Sequence, residues 1–189
     1  MKTTNIMIVG VGGQGSLLAS KLLGNLLVNE GYDVKVSEVH GMSQRGGSVV
    51  TYVRFGEKVY SPIIDKGEAD FIVSFEKIEA ARYASYLAEN GKIIVNTQQI
   101  DPMPVITGAA EYPTEVLTDL SASGISVDAI DALTPATEAG SSKAVNIVLM
   151  GRLSKYMSIP EDKWLEAIKN SVAPKFVEMN LKAFALGRK

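Results

Sequence analysis

Gly10, Gly12 and Gly15 stand at the spacing G-x-G-x-x-G, with Gly13 and Gln14 between them, directly after the apolar run Ile6-Met7-Ile8-Val9. In that spacing one glycine makes the bend, one lets a ligand approach the backbone, and one lets the following helix pack closely. A helix starting near Ser16 offers backbone N–H groups and a partial positive charge to the turn, so the chemistry available is the holding of a phosphate or another anion. The plainer alternative is a tight strand-to-helix turn of the kind any doubly wound sheet uses. A second group of chemically capable residues follows the next strand. Glu38 is placed about 20 residues beyond the glycines, where an acid can accept hydrogen bonds from a ribose, or it is a solvated acid at a strand end. From Val39 to Ser48 there is no helical periodicity where a crossover helix is due. Gly41, Gly46 and Gly47 free the backbone there, and Arg45 supplies a planar cation suited to phosphate or carboxylate. The alternative makes Arg45 a surface residue and His40 a hydrogen-bonded structural histidine.

The elements that must position these residues follow from periodicity. Leu17, Leu18, Leu22, Leu23, Leu26 and Leu27 recur at three- and four-residue steps, and Gly31 stops that helix. Asp33 to Glu38 makes a second strand and completes a strand-helix-strand unit, so its trailing loop leaves the same carboxyl edge as the glycine turn. Val49 to Phe55 alternates and Val59-Tyr60 is expected to pair back on it as an inserted hairpin. Asp70 to Phe75 is a buried strand, Glu76 to Ala88 an amphipathic helix, Lys92 to Asn96 the next strand. Gln98 to Gly108 is expected as a loop, Pro113 to Leu120 as a short helix, and Ser126 to Ile130 as the last strand. Asp128 and Asp131 at its end read as caps rather than a catalytic pair. From about residue 137 the chain turns helical. Ala144 to Tyr156 is apolar nearly all round, so it is buried by the sheet or by another chain, and Asn146 and Gly151 mark a candidate interface.

Composition limits the function. The chain has 189 residues, 46% hydrophobic and 21% charged, which suits one soluble domain spanning 1–189 with its own core. A net charge of −2 gives no reason to expect nucleic acid as partner. The residues after 151 carry 8 Lys or Arg against 4 Asp or Glu, either a solvated helix face or a docking surface for an acidic partner. With no cysteine there is no disulfide, no cysteine nucleophile and no thiolate for an iron–sulfur cluster, and one histidine makes a His-rich metal site unexpected. No apolar run reaches the roughly 20 residues of a membrane span, and a cytoplasmic location is expected.

The glycine turn together with Ser37-Glu38-Val39-His40-Gly41-Met42-Ser43-Gln44-Arg45-Gly46-Gly47 resembles the gamma-type subunits of 2-oxoacid:ferredoxin oxidoreductases, most of all the small subunits of the indolepyruvate enzymes. The likeness runs through the strands at 70–75 and 91–96 to the late segment containing Asn146; one departure is Ser141-Ser142, where such proteins often have Gly-Asn. It implies an α/β fold with a Rossmann-like, doubly wound, mostly parallel sheet, an inserted β-hairpin and C-terminal helices. It also implies oxidative decarboxylation of an arylpyruvate or related 2-oxoacid, acyl transfer to coenzyme A and electrons to ferredoxin. Thiamine diphosphate and iron–sulfur clusters would then reside on a large catalytic partner subunit, in keeping with a chain that has no cysteine. On this footing Gly10, Gly12, Gly13, Gln14, Gly15, Glu38, Arg45, Gly46 and Gly47 are expected to position a phosphate-bearing acyl acceptor, with His40, Met42, Ser43, Gln44 and Asn146 facing the partner or its active site. The same loop could instead cap the partner's thiamine site. The competing functions are a free-standing NAD-dependent oxidoreductase and a nucleotide-binding scaffold.

Overall fold

The computed structural model of the protein describes residues 3–39 and 47–189. One strand sets the frame. β1 (Thr4–Val11) is buried from Asn5 to its end; Ile6 and Ile8 enter the core on one side of the sheet, Met7 and Val9 the core on the other. An unbroken apolar run is what a strand covered on both faces requires. After the glycine turn, α1 (Ser16–Asn29) lays Leu22, Leu23, Leu26 and Leu27 onto the first core. Leu17, at the head of that leucine series, is 56% exposed instead. β2 (Asp33–Glu38) then runs in the same direction as β1 but is not its neighbour. β3 (Ser48–Gly56) fills the space between, antiparallel to both, with Ser48 opposite Val11 and Thr51 opposite Glu38.

The antiparallel insertion expected from the sequence is therefore present, but its hairpin partner is β2. Val59 and Tyr60 do not pair back, because both edges of β3 are already occupied; the Val59 N–H goes to the Asp33 carboxylate at 2.9 Å and Tyr60 lies open to solvent. Arg54 ties the connecting segment down, donating to Asn5 Oδ1 at 2.8 Å and to the carbonyls of Ser61 and Ile63.

The remaining strands are β4 (Ala69–Ser74), β5 (Leu87–Asn96) and β6 (Ser126–Ile130). They complete a six-stranded sheet of order β2-β3-β1-β4-β5-β6, parallel except for β3. α2 (Lys77–Tyr83) is shorter than its amphipathic pattern suggests, because a 3-10 turn at Ala84–Tyr86 hands the chain to β5, which meets Ala69 at Leu87. A single-turn helix, α3 (Met103–Ile106), interrupts the expected loop, and α4 (Val116–Ala122) packs Val116 and Leu120 with Ala80 of α2 over Met7, Ile72, Ile93 and Val95.

The other face is covered by α1 and by α5 (Leu133–Ala139), α6 (Val145–Ser154), α7 (Glu161–Ser171) and α8 (Val177–Arg188). Trp164 of α7 stacks on Phe184 of α8 with ring centres 5.8 Å apart. α6 and α8 touch backbone to backbone: a Cβ at Gly187 would stand 2.0 Å from the Val148 carbonyl oxygen, and one at Gly151 2.3 Å from that of Phe184. The face of α6 read from the sequence as a candidate interface between chains is thus filled by α8 of the same chain.

Candidate functional site

The glycine turn leaves the carboxyl end of β1 and enters α1 through two residues with positive φ, Gly13 at 101° and Gly15 at 89°. Only glycine adopts these angles without strain. Gly15 is also crowded, since a Cβ there would lie 2.9 Å from Asn146 Nδ2. Asn146, at the start of α6, is buried and donates from that nitrogen to the Gly15 carbonyl at 3.2 Å. Within the chain it fastens the turn.

Gln14 also turns inward. Its Oε1 accepts the Val11 N–H at 2.7 Å, and its Nε2 donates to the Phe75 carbonyl at 3.0 Å and to Gln98 Oε1 at 3.3 Å. Asn96, fully buried at the end of β5, joins the same group by donating to the Phe75 carbonyl and accepting the Ala132 N–H. These amides fill the crevice between the carboxyl ends of β1 and β4, the place where the strand order reverses and where a doubly wound sheet ordinarily takes its ligand.

The open space lies on the other side of the turn. A cleft of about 320 Å³ is lined by Gly12, Gly13, Gly15, Ser16, Leu17, Glu38, Val39, Val49 and Thr51. The N-terminus of α1 faces it with no acidic residue in its first turn and, among the described residues, no side-chain cap, an arrangement suited to an anion. Glu38 stands on the far wall, its Oε1 accepting the Ser20 hydroxyl at 2.7 Å. The Gly12 N–H donates to the Gly47 carbonyl at 2.9 Å, and the Val39 N–H to the Val50 carbonyl at 3.0 Å. Glu38, Val39 and Gly47 thus reach the same carboxyl edge as Gly12, Gly13 and Gly15, as expected. Gly10 belongs to the end of β1 rather than to the cleft, where a Cβ would meet Phe75 Cβ at 2.9 Å. His40, Met42, Ser43, Gln44, Arg45 and Gly46 lie outside the described residues.

From residue 5 to residue 189 the chain matches the family of pyruvate ferredoxin/flavodoxin oxidoreductases. It belongs to that family. Its similarity to indolepyruvate oxidoreductase subunit IorB of Thermococcus kodakarensis is 46% identity over all of this chain and 96% of the relative. Two solved structures share the fold: the gamma subunit of a keto/oxoacid ferredoxin oxidoreductase from Geobacter sulfurreducens, at 21% identity and TM-score 0.72 over 97% of this chain and 95% of that one, and a 2-oxoglutarate:ferredoxin oxidoreductase from Magnetococcus marinus, at 20% and 0.76. The match to the second covers all of this chain but 31% of that longer one, so the fold also occurs there as part of a larger polypeptide.

Two acids of this oxidoreductase chain escaped the sequence reading. Glu76 and Glu79, at the junction of β4 and α2, are 1% and 4% exposed. Glu76 caps α2 by accepting the Glu79 N–H at 3.0 Å, and its other oxygen takes the Tyr112 hydroxyl and the Ile100 N–H. Burial, and then the Glu76 carboxylate, push the Tyr112 phenol well above its ordinary pKa. Glu79 accepts the Ser48 hydroxyl and Arg82 Nε. The signal was available: two glutamates three apart, directly after an apolar strand and on the carboxyl edge, in a pattern that resembles a capping box.

Among the described residues no helix is long and apolar enough to cross a membrane, and no group of three or more His, Asp or Glu could hold a metal ion. With no cysteine in the sequence, the chain's donor set does not fit an iron–sulfur cluster, while a helix terminus such as that of α1 suits a phosphate.

Proposed function

We propose that this chain is the small, accessory subunit of an indolepyruvate or related arylpyruvate ferredoxin oxidoreductase, and that its cleft orients the phosphate-bearing acyl acceptor, coenzyme A. The observation that carries the reading is the convergence of the α1 terminus, the backbone of Gly12 and Gly13, and the wall at Glu38 and Val39 on one open cleft. The likeness to an indolepyruvate oxidoreductase subunit over the full chain supports the substrate class, and the coenzyme A named with the Magnetococcus enzyme supports the acceptor. Thiamine diphosphate and iron–sulfur clusters on a larger partner would supply decarboxylation and electron transfer to ferredoxin. This chain's share is binding and orientation. The α1 terminus holds an anionic group, Gly13 leaves room for it against the backbone, and Glu38 is placed to accept a hydrogen bond from a ligand hydroxyl. Such positioning acts by fixing the attacking group's geometry and needs no nucleophile from this chain.

The free-standing NAD-dependent reading is less well supported. In a dinucleotide-binding sheet the acid that binds the ribose ends the strand next to β1, whereas here β3 separates β2 from β1.

The test is steady-state kinetics of the complex reconstituted with Gly13→Ala, whose Cβ would meet nothing within 4 Å among the described residues but whose φ of 101° strains any L residue. We expect the KM for coenzyme A to rise about tenfold with little change in kcat, the signature of lost binding shared by ground and transition states. An unchanged KM for coenzyme A together with a lower rate of 2-oxoacid decarboxylation would transfer the role of the cleft to capping the thiamine site.

A further inference from the structure

Gly47 and Ser48 form the end of the β1–β3 ladder, Ser48 standing opposite Val11. Beyond that pair the ladder no longer dictates where the backbone goes, yet the Gly47 carbonyl must meet the Gly12 N–H at 2.9 Å. A side chain holds this end from the other face of the sheet. The Ser48 hydroxyl donates to one oxygen of Glu79 on α2, and the other oxygen takes Arg82 Nε at 3.1 Å. Tyr83 Oη stands 3.3 Å from the same hydroxyl. Burying a carboxylate is costly unless its oxygens are paired, and a serine that merely opens a strand has no need of one. Glu79 lines a separate cavity of about 190 Å³ with Gly47, Ser48, Arg82 and Met103. Among the described residues it shares none with the cleft beside α1.

We infer that Glu79 is a positioning residue for the acyl acceptor: by gripping Ser48 it fixes Gly47, and through the Gly47 carbonyl it sets the tilt of the Gly12 amide on the floor of the cleft. This rests on the cleft reading above and adds the device that holds its geometry. Ser48 and Glu79 form one linkage, so cutting it at either end has the same effect, and cutting it at both ends adds nothing.

The experiment compares Ser48→Ala, Glu79→Ala, the double variant, Glu79→Gln and Tyr112→Phe in the reconstituted complex, with Gly13→Ala as the cleft variant. Ser48→Ala and Glu79→Ala should each raise the KM for coenzyme A roughly fivefold to tenfold with kcat held within about twofold. The double variant should match the worse single one, the mark of coupled partners. Glu79→Gln, whose amide oxygen still accepts from Ser48, should restore most of the affinity. Tyr112→Phe removes a hydrogen bond to the neighbouring Glu76 and should lower Tm without moving the KM. Ser48→Ala leaves Glu79 paired with Arg82, so it tests the linkage even if Glu79→Ala fails to fold. The inference is overturned if Ser48→Ala leaves the KM unchanged, or if Tyr112→Phe raises it equally, which would mean general loosening. If Gly13→Ala raises the KM and Ser48→Ala does not, the cleft reading stands and this inference alone falls; if neither does, both fall.

Discussion

At Asp128 two opposing effects meet on one carboxylate. Burial pushes its pKa up, but bidentate donation from Arg152 at 2.7 and 2.8 Å and a hydrogen bond from Tyr156 outweigh that and hold it below the ordinary carboxylate value. A carboxyl depressed in the folded state stabilises fully above its unfolded pKa of about 3.9, and the contribution is lost as pH falls through the folded value. Asp128→Asn should therefore cost about 1–3 kcal/mol at pH 7, the range for a partly buried, hydrogen-bonded ion pair. In urea titrations the gap to the parent protein should narrow steadily between pH 5 and about pH 2; an equal gap at both ends of that range would show that the carboxylate charge is not what matters. The sequence treated Asp128 and Asp131 alike, as caps. Asp131 is one, accepting from the N–H groups of Leu133 and Thr134. Asp128 instead braces β6 against α6, a role invisible from its neighbours in sequence because Arg152 lies 24 residues away.

Among the elements, the pair α6 and α8 is the most exacting. Helices normally keep their axes 8–10 Å apart because side chains intervene; here Gly151 and Gly187 let each backbone touch the other. Gly187→Ala puts a methyl group where the Val148 carbonyl already stands. The helices must then separate, at a cost of about 1–3 kcal/mol or more, which differential scanning calorimetry should register as a Tm lower by at least about 2 °C. An unchanged Tm would mean that α8 shifts freely and does not lock α6. That α6 is buried was legible from its apolar circumference, but what buries it was not: periodicity marks a face as covered without naming the cover. The same limit explains β3. Alternation from Val49 to Phe55 identified a strand, whereas its place between β2 and β1 depends on a ladder to β1, from Thr4 opposite Phe55 to Val11 opposite Ser48, that no local pattern encodes. β1, the glycine turn and α1 were legible because their signals are local: an apolar run, glycines that must take positive φ, and leucines at helical steps.

For the whole molecule, the expectation is dependence on a partner. The isolated chain should reduce no electron acceptor when given indolepyruvate and coenzyme A, and activity should appear only on adding a large subunit that brings thiamine diphosphate and iron–sulfur clusters. A visible absorbance contributed by those clusters should accompany the larger species through size-exclusion chromatography; turnover by the small chain alone would overturn its accessory role. The amide of Gln14 gives this dependence a shape. By setting its own side chain between the ends of β1 and β4, the molecule occupies the fissure where a guest would ordinarily enter and, among the described residues, leaves the wider opening beside α1. On the proposed reading a guest there is seated from beneath by the turn and the helix end, so this chain furnishes a seat and the docking subunit brings the reacting groups to it.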